Sequence, residues 1–454
     1  MNFKKNQTHV LTITGMTHEG NGVGKLDGYT IFTPLTAIGD EVKIQLVKVG
    51  KSYGYGRLLE ILSPSPHRLP EVDCPYFIHC GGCSLRHIDY QNELEIKHSF
   101  VAENFKRIGK IDVEISAIIP SPEIVRYRNK ALYPVRVVDG RPSIGFYARR
   151  SHRLIPVDDC LLEPEIFSEI ARYTEDFLEK NKITIYNEET GKGKIRHLFL
   201  RVGEATGEIA AGLVVNSPSL FQGEKWATGL KALFPTVKSI FINSNMEQNN
   251  VILGPETTFL TEETTIQDEL LHQTFQISPA SFYQVNAKAT ALLYTKAAEL
   301  LQLNGNELLL DLYCGIGTIG ISMAKHVREV IGVEIVPEAI ENANENAKIN
   351  YLDNTRFLAG DAQTAAKQLL NDGLSPDVIV LDPPRKGCTE ELLETVTSLL
   401  PAKILMISCN SATAARDISK LVSKGYAVEH IIPVDLFPRT THMETIILMS
   451  NTKH

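Results

Sequence analysis

LLLDLYCGIGTIGISMAKHVREVIGVEIV, residues 308–336, decides the fold. Residues 308–312 read as an apolar strand running into Gly315-x-Gly317-x-x-Gly320. A helical stretch follows, then a second strand ending at Glu334. Glycines between strand and helix let the backbone turn tightly and approach a ligand closely. Glu334 lies 19 residues after the first glycine, placed to accept hydrogen bonds from both hydroxyls of a ribose.

The spacing is that of a dinucleotide fingerprint, so a nicotinamide-dependent oxidoreductase is one reading. Enzymes that use S-adenosylmethionine (SAM) share the same strand–loop–helix–strand–acid order. The residues downstream favour SAM. From about residue 286, helices alternate with apolar strands, which predicts a parallel, doubly wound sheet. FLAGDA (357–362) puts Asp361 after a third strand, VIVLDPPRKG (378–387) puts Asp382 at the end of a fourth, and KILMISCNS (403–411) puts Cys409 at the end of a fifth. Ligands of open α/β sheets bind at the carboxyl ends of strands, so these residues should meet in one crevice. Hydride transfer needs no thiol there, whereas methyl transfer to a weakly nucleophilic carbon can use one. Cysteines beside apolar strands are often simply buried, which suits Cys314 and Cys388. Cys409 precedes a polar run and is the candidate nucleophile.

The rest of the chain is organised differently. Its 454 residues are 43% hydrophobic and 22% charged, which implies several domains. No apolar run is long enough for a membrane span, and the first residues show no secretory pattern. The cytoplasm is therefore the expected compartment, with no membrane partner and no obligate protein partner in evidence. Residues 8–62 alternate near period two between glycine-bearing turns and predict a small β-barrel. A helix is predicted over 90–108. Strands are predicted over 113–260, with turns at Asp139-Gly140 and Asn243-Ser244.

The net charge of −8 conceals an asymmetry. Residues 1–153 carry 21 Lys and Arg against 15 Asp and Glu, and 126–153 alone holds eight basic residues and one acid. Tyr127, Tyr133, Phe146 and Tyr147 lie among them. Guanidinium groups suit phosphates and aromatic faces stack on unpaired bases, so this segment is a candidate nucleic-acid surface; a solvated strand face is the plainer alternative. CPYFIHCGGC, 74–83, packs three of the seven cysteines into ten positions, and Cys160 follows the basic segment. In a reducing compartment such clusters bind metal more often than they form disulfides. Cys74, Cys80, Cys83 and Cys160 could hold zinc or an iron–sulfur cluster, and the spacing fits both.

SFYQVN (281–286), DLYCGIG (311–317), GVE (332–334), LDPPRKG (381–387), SCN (408–410) and HMET (442–445) together resemble the bacterial SAM-dependent RNA 5-methyluridine (uracil-C5) methyltransferases over nearly the whole chain. Residues 1–65 resemble the family's TRAM RNA-binding barrel, 66–265 a central RNA-binding domain with an iron–sulfur site, and 266–454 the Rossmann-like methyltransferase domain. Barrel and cluster together resemble the branch acting on 23S ribosomal RNA, with the tRNA branch as the alternative. A non-catalytic RNA-binding iron–sulfur protein is a further rival. The resemblance implies Cys409 as nucleophile, Glu444 as base, and Gln284, Tyr313, Glu334, Asp361 and Asp382 around SAM. It also implies a [4Fe–4S] cluster on Cys74, Cys80, Cys83 and Cys160. Thr318 and Ser411 stand where the family often has asparagine and proline.

Overall fold

The structure, a computed structural model, describes residues 3–453. Strands β1 (Thr8–Met16), β2 (Asn21–Leu26), β3 (Tyr29–Pro34), β4 (Glu41–Val49) and β5 (Tyr53–Ser63) close a barrel in the order β1-β2-β3-β5-β4. Alternation sends Leu11, Ile13, Ile31, Val42, Ile44 and Leu46 inward. Six side chains make a small core. The barrel also leans on the rest of the protein, with Met16, Ala37 and Ile38 packed into the core beneath the C-terminal sheet.

A seven-stranded central sheet comprises β6 (Lys130–Val138), β7 (Arg141–Tyr147), β8 (Leu154–Pro156), β9 (Ile195–Val202), β10 (Ile209–Val215), β11 (Val237–Ser244) and β12 (Glu256–Phe259). Their order is β12-β11-β10-β9-β6-β7-β8. Helices Glu165–Lys180 and Gly223–Leu233 bury Phe167, Ile170, Phe177 and the sole tryptophan, Trp226, on one face. Phe199 and Phe241 join the core of the C-terminal unit from the other face.

Two expectations change here. Asn243 and Ser244 are the last residues of β11, not a turn; the Asn243 amide instead donates to the carbonyls of Gly254 and Glu256 and holds the returning chain. The basic stretch 126–153 is also less free than its composition implies. Tyr127 and Tyr133 are buried, with their hydroxyls on the Pro438 carbonyl and the Glu163 carboxyl. Arg126 pairs with Asp159, Arg136 with Glu188, and Arg150 with Glu19. These two rings cannot stack on bases, and much of the charge is neutralised internally.

The C-terminal sheet contains, after a hairpin of β13 (Ile266–Leu270) and β14 (Gln273–Ile277), strands β15 (Leu308–Leu312), β16 (Glu329–Glu334), β17 (Thr355–Ala359), β18 (Val378–Leu381), β19 (Lys403–Ser408), β20 (Tyr426–Val434) and β21 (Glu444–Asn451). Its order is β17-β16-β15-β18-β19-β21-β20. Strands β15 to β19 are parallel, and the order reverses between β15 and β18, which opens a crevice at their carboxyl ends. β21 runs antiparallel to both neighbours, so its first residue, Glu444, arrives at that same end.

The helix expected over 90–108 spans Tyr90–Asn104, capped by Asp89, and continues as a π-helical turn over Phe105–Gly109. It packs on the helix Ser411–Ser423 of the C-terminal unit. Its buried Lys97 ammonium meets the Glu93 and Asp435 carboxylates at 2.7 and 2.8 Å. No described helix is long and apolar enough to cross a membrane. Removing one partner from a buried ion network leaves uncompensated charge, at a cost of about 3–5 kcal/mol. Lys97→Ala should therefore lower the thermal unfolding midpoint markedly, measured by calorimetry, whereas Lys296→Ala, at an exposed pair with Glu299, should not.

Candidate active site

The strand ends deliver the expected residues to one cleft. A cavity of about 530 Å³ is lined by Gln284, Tyr313, Glu334, Asp361, Asp382, Cys409 and Glu444, with Phe282 and Arg385 beside them. The glycine turn is built tightly. Gly317 has φ +83°, and a Cβ there would sit 3.0 Å from the Phe357 ring. Asp311, buried at the end of β15, accepts the Gly320 amide at 3.1 Å. The Glu334 carboxylate accepts the amides of Gly315 at 3.2 Å and Val336 at 3.0 Å. Asp361 caps the helix Ala362–Asn371 through the Thr364 amide. Gln284 is fixed from the central sheet, because the Asn129 side-chain amide donates to its carbonyl at 3.0 Å.

Asp382, Cys409 and Glu444 line the same cleft. Glu444 is buried, and its Oε2 has no protein partner. Burial pushes its carboxyl well above the usual range, Asp382 adds to the rise, and Arg385 opposes it. Burial raises Asp382 to about 7. Burial also raises the half-buried Cys409 thiol, to about 11; Glu444 and Asp382 reinforce this and Arg385 counters it. A carboxyl with high proton affinity suits proton abstraction from carbon. Thr318, in the glycine turn, shares a 3.2 Å hydrogen bond with the Tyr294 hydroxyl. Cys314 and Cys388 are buried, as their sequence setting implied.

The four other cysteines meet in a separate place. Cys74, Cys80, Cys83 and Cys160 line one cavity of about 250 Å³, together with Arg86, Arg128 and Glu163. Phe437, Thr440 and His442, just before Glu444, complete its wall. Burial raises the thiols of Cys80, Cys83 and Cys160, and Cys83 reaches about 11. Among the described residues, no group of three or more His, Cys, Asp or Glu side chains is placed to hold a single metal ion.

Residues 223–452 match a family described as tRNA (Uracil-5-)-methyltransferase, and residues 3–59 match the TRAM domain. A protein of Clostridium tetani named "Uncharacterized RNA methyltransferase" is 40% identical over 447 residues, covering 98% of this chain and 97% of its own. A relative of the same description from Halalkalibacterium halodurans is 42% identical over 446 residues, with 98% and 97% covered. The chain belongs to the RNA uracil-5-methyltransferase family. Among solved structures, the Pyrococcus abyssi tRNA (uracil-54, C5)-methyltransferase, in complex with S-adenosyl-L-homocysteine, is similar with TM-score 0.79 and 28% identity over 96% of this chain and 99% of its own. A methyltransferase of this family takes its methyl group from SAM, so the nicotinamide reading of the glycine motif is set aside.

Sequence reasoning missed Arg385 and Asn129. Arg385 lies inside the quoted LDPPRKG motif, where a cation two residues past a Pro was the available signal. Asn129 acts across a domain seam, and no local pattern marks it. Because Arg385 draws the Cys409 thiol down, Arg385→Ala should slow alkylation of Cys409 by iodoacetamide at pH 8, read by mass spectrometry of the Cys409 peptide. An unchanged rate would show that the guanidinium does not act on the thiol.

Proposed function

We propose that this protein transfers a methyl group to C5 of a uridine in 23S ribosomal RNA, in the cytoplasm, through covalent catalysis by Cys409 and proton abstraction by Glu444. The observation that carries the reading is the convergence of a thiol and a buried carboxyl on one cleft with the residues suited to SAM. The Cys409 thiolate adds to C6 and the electrons of the C5–C6 double bond move onto C5 and the C4 oxygen. SAM supplies the methyl group that C5 takes. Glu444 then removes the C5 proton, the C5–C6 double bond re-forms, and the Cys409 sulfur leaves as thiolate. Asp382 sets the charge of the cleft beside both groups. Cys409 and Glu444 both act deprotonated and both are raised, so turnover at saturating substrate should climb with pH from 6 to 9. A profile that falls over that range would contradict the two assignments.

The 23S reading rests on the pairing of a TRAM barrel with the cysteine cluster. A transfer-RNA target has its own support. The similarity to the archaeal enzyme named for uracil-54 of tRNA covers 96% of this chain, so it takes in the barrel. Mass mapping of 5-methyluridine in cells with and without the gene discriminates the two. The proposal expects a loss in 23S RNA with tRNA unchanged; loss confined to tRNA would reassign the target.

The four cysteines suit a [4Fe–4S] cluster. A single zinc needs its sulfurs gathered at about 2.3 Å from one point, whereas a cubane spreads its thiolates over four irons. Cys74, Cys80, Cys83 and Cys160 line one cavity, and the choice of a cluster over zinc rests on the family resemblance. A bound cluster would tie residue 74 to residue 160 and brace the segment between. Protein purified without oxygen should carry iron and acid-labile sulfide at about four each per chain, and Cys160→Ser should lose both. Zinc at about one per chain without iron would refute the cluster.

A further inference from the structure

A second cavity, of about 380 Å³, opens from Cys409. Cys409 and Arg385 line both this cavity and the SAM cleft, so the two spaces meet at the nucleophile. The rest of its wall is drawn from segments far apart in sequence: His18 of the barrel, Asn104 at the end of the helix Tyr90–Asn104, Asn410 and Ser411 at the head of the helix Ser411–Ser423, and His442 before Glu444.

The turn that carries His18 is docked with care. Thr17 donates its amide to the Asn21 carbonyl and accepts the Gly20 amide. Gly20 has φ +76°, and a Cβ on it would lie 2.9 Å from the Ser84 Cβ and 3.5 Å from the Thr441 Cγ2. Only a glycine lets the turn press this closely on Ser84, with Thr441 of the loop leading to Glu444 in ordinary contact beside it. The His18 ring lies on Phe100 with centroids 4.2 Å apart. Burial lowers its imidazole below the ordinary range, with Glu103 partly opposing. Asn104 donates to the Ser411 hydroxyl at 2.8 Å, and Ser411 stands where proline is frequent in the family.

The chemistry of the two cavities differs. The SAM cleft holds Glu334, Asp361, Asp382 and Glu444. No acid lines the second cavity, and Arg385, which acts on Cys409 and Glu444, is shared with the first cleft. An acid-free wall with a guanidinium, amides, hydroxyls and imidazole rings suits a sugar-phosphate and an unpaired base. Strand continuity points the same way. A uracil ring attacked by Cys409 sits at the junction, SAM fills the first cleft, and the RNA strand must run on through space that begins at Cys409.

We propose that this second cavity seats the nucleotide joined to the target uridine, and that His18 is the TRAM residue that touches it. The proposal rests on the uridine-methylating reading above, and it makes the barrel part of the active site. The probe is total RNA from cells lacking the gene. His18→Ala should raise the RNA concentration for half-maximal methylation about tenfold, as loss of one base stack does, with kcat within twofold and S-adenosylhomocysteine affinity unchanged by calorimetry. Asn104→Ala should shift the same parameter in the same direction. Independently, the photocrosslinking residue p-benzoylphenylalanine placed at position 18 should crosslink, on reverse-transcription mapping, to a nucleotide adjacent to the 5-methyluridine. If the wild-type protein methylates this RNA while His18→Ala leaves its KM unchanged and crosslinks fall only at distant nucleotides, the subsite is wrong. If the wild-type protein methylates no RNA, the functional reading fails first and the subsite falls with it.

Discussion

Everything in the active site depends on where the loop 435–443 is held, because that loop delivers Glu444 to the cleft. Asp435 is clamped by Lys97 and by the Tyr90 hydroxyl. The Leu436 carbonyl accepts from Asn286, two residues past Gln284. The Pro438 carbonyl accepts from Tyr127, and the Arg439 carbonyl accepts the amides of Ser84 and Leu85, next to Cys83. The Arg439 amide in turn donates to the buried Glu93. The segment after the cysteine cluster, the chain leading into the central sheet and the turn after Gln284 thus all meet one short strap. Burial makes each of these polar contacts expensive to lose, which fixes the geometry more than it adds to stability.

This arrangement accounts for the division of labour. The doubly wound sheet supplies the crevice, since parallel strands place Glu334, Asp361, Asp382 and Cys409 at one edge. It does not supply the proposed base by itself. Glu444 comes from an antiparallel strand whose approach is set by the helix Tyr90–Asn104 and the segment around residue 84. The cysteine cavity shares Phe437, Thr440 and His442 with the strap, so the cavity and the active site are joined through one loop.

Much of the catalytic sheet was legible in the sequence, because glycine spacing, strand-ending acids and apolar runs are local signals. The barrel was legible for the same reason. What lay beyond reading was long-range. Nothing around Lys97 shows that it will be buried between Glu93 and Asp435, and nothing around Tyr127 shows that its hydroxyl will hold Pro438. The basic segment misled because composition reports charge without partners, and Asp159, Glu188 and Glu19 are distant in sequence from the arginines they neutralise. Asn243-Ser244 misled because turn-forming residues also serve at strand ends, where a side-chain amide can organise the returning chain.

The central claim is that Cys409 and Glu444 act in sequence on one uracil ring. The most direct measurement is denaturing electrophoresis of Glu444→Gln incubated with RNA and SAM labelled in its methyl group. The account predicts a protein–RNA adduct that survives denaturation and carries the methyl label, because the thiol adds and the methyl group transfers but the C5 proton cannot leave; Cys409→Ala should give none. Turnover of Glu444→Gln at near wild-type rate, or a labelled adduct with Cys409→Ala, would contradict it.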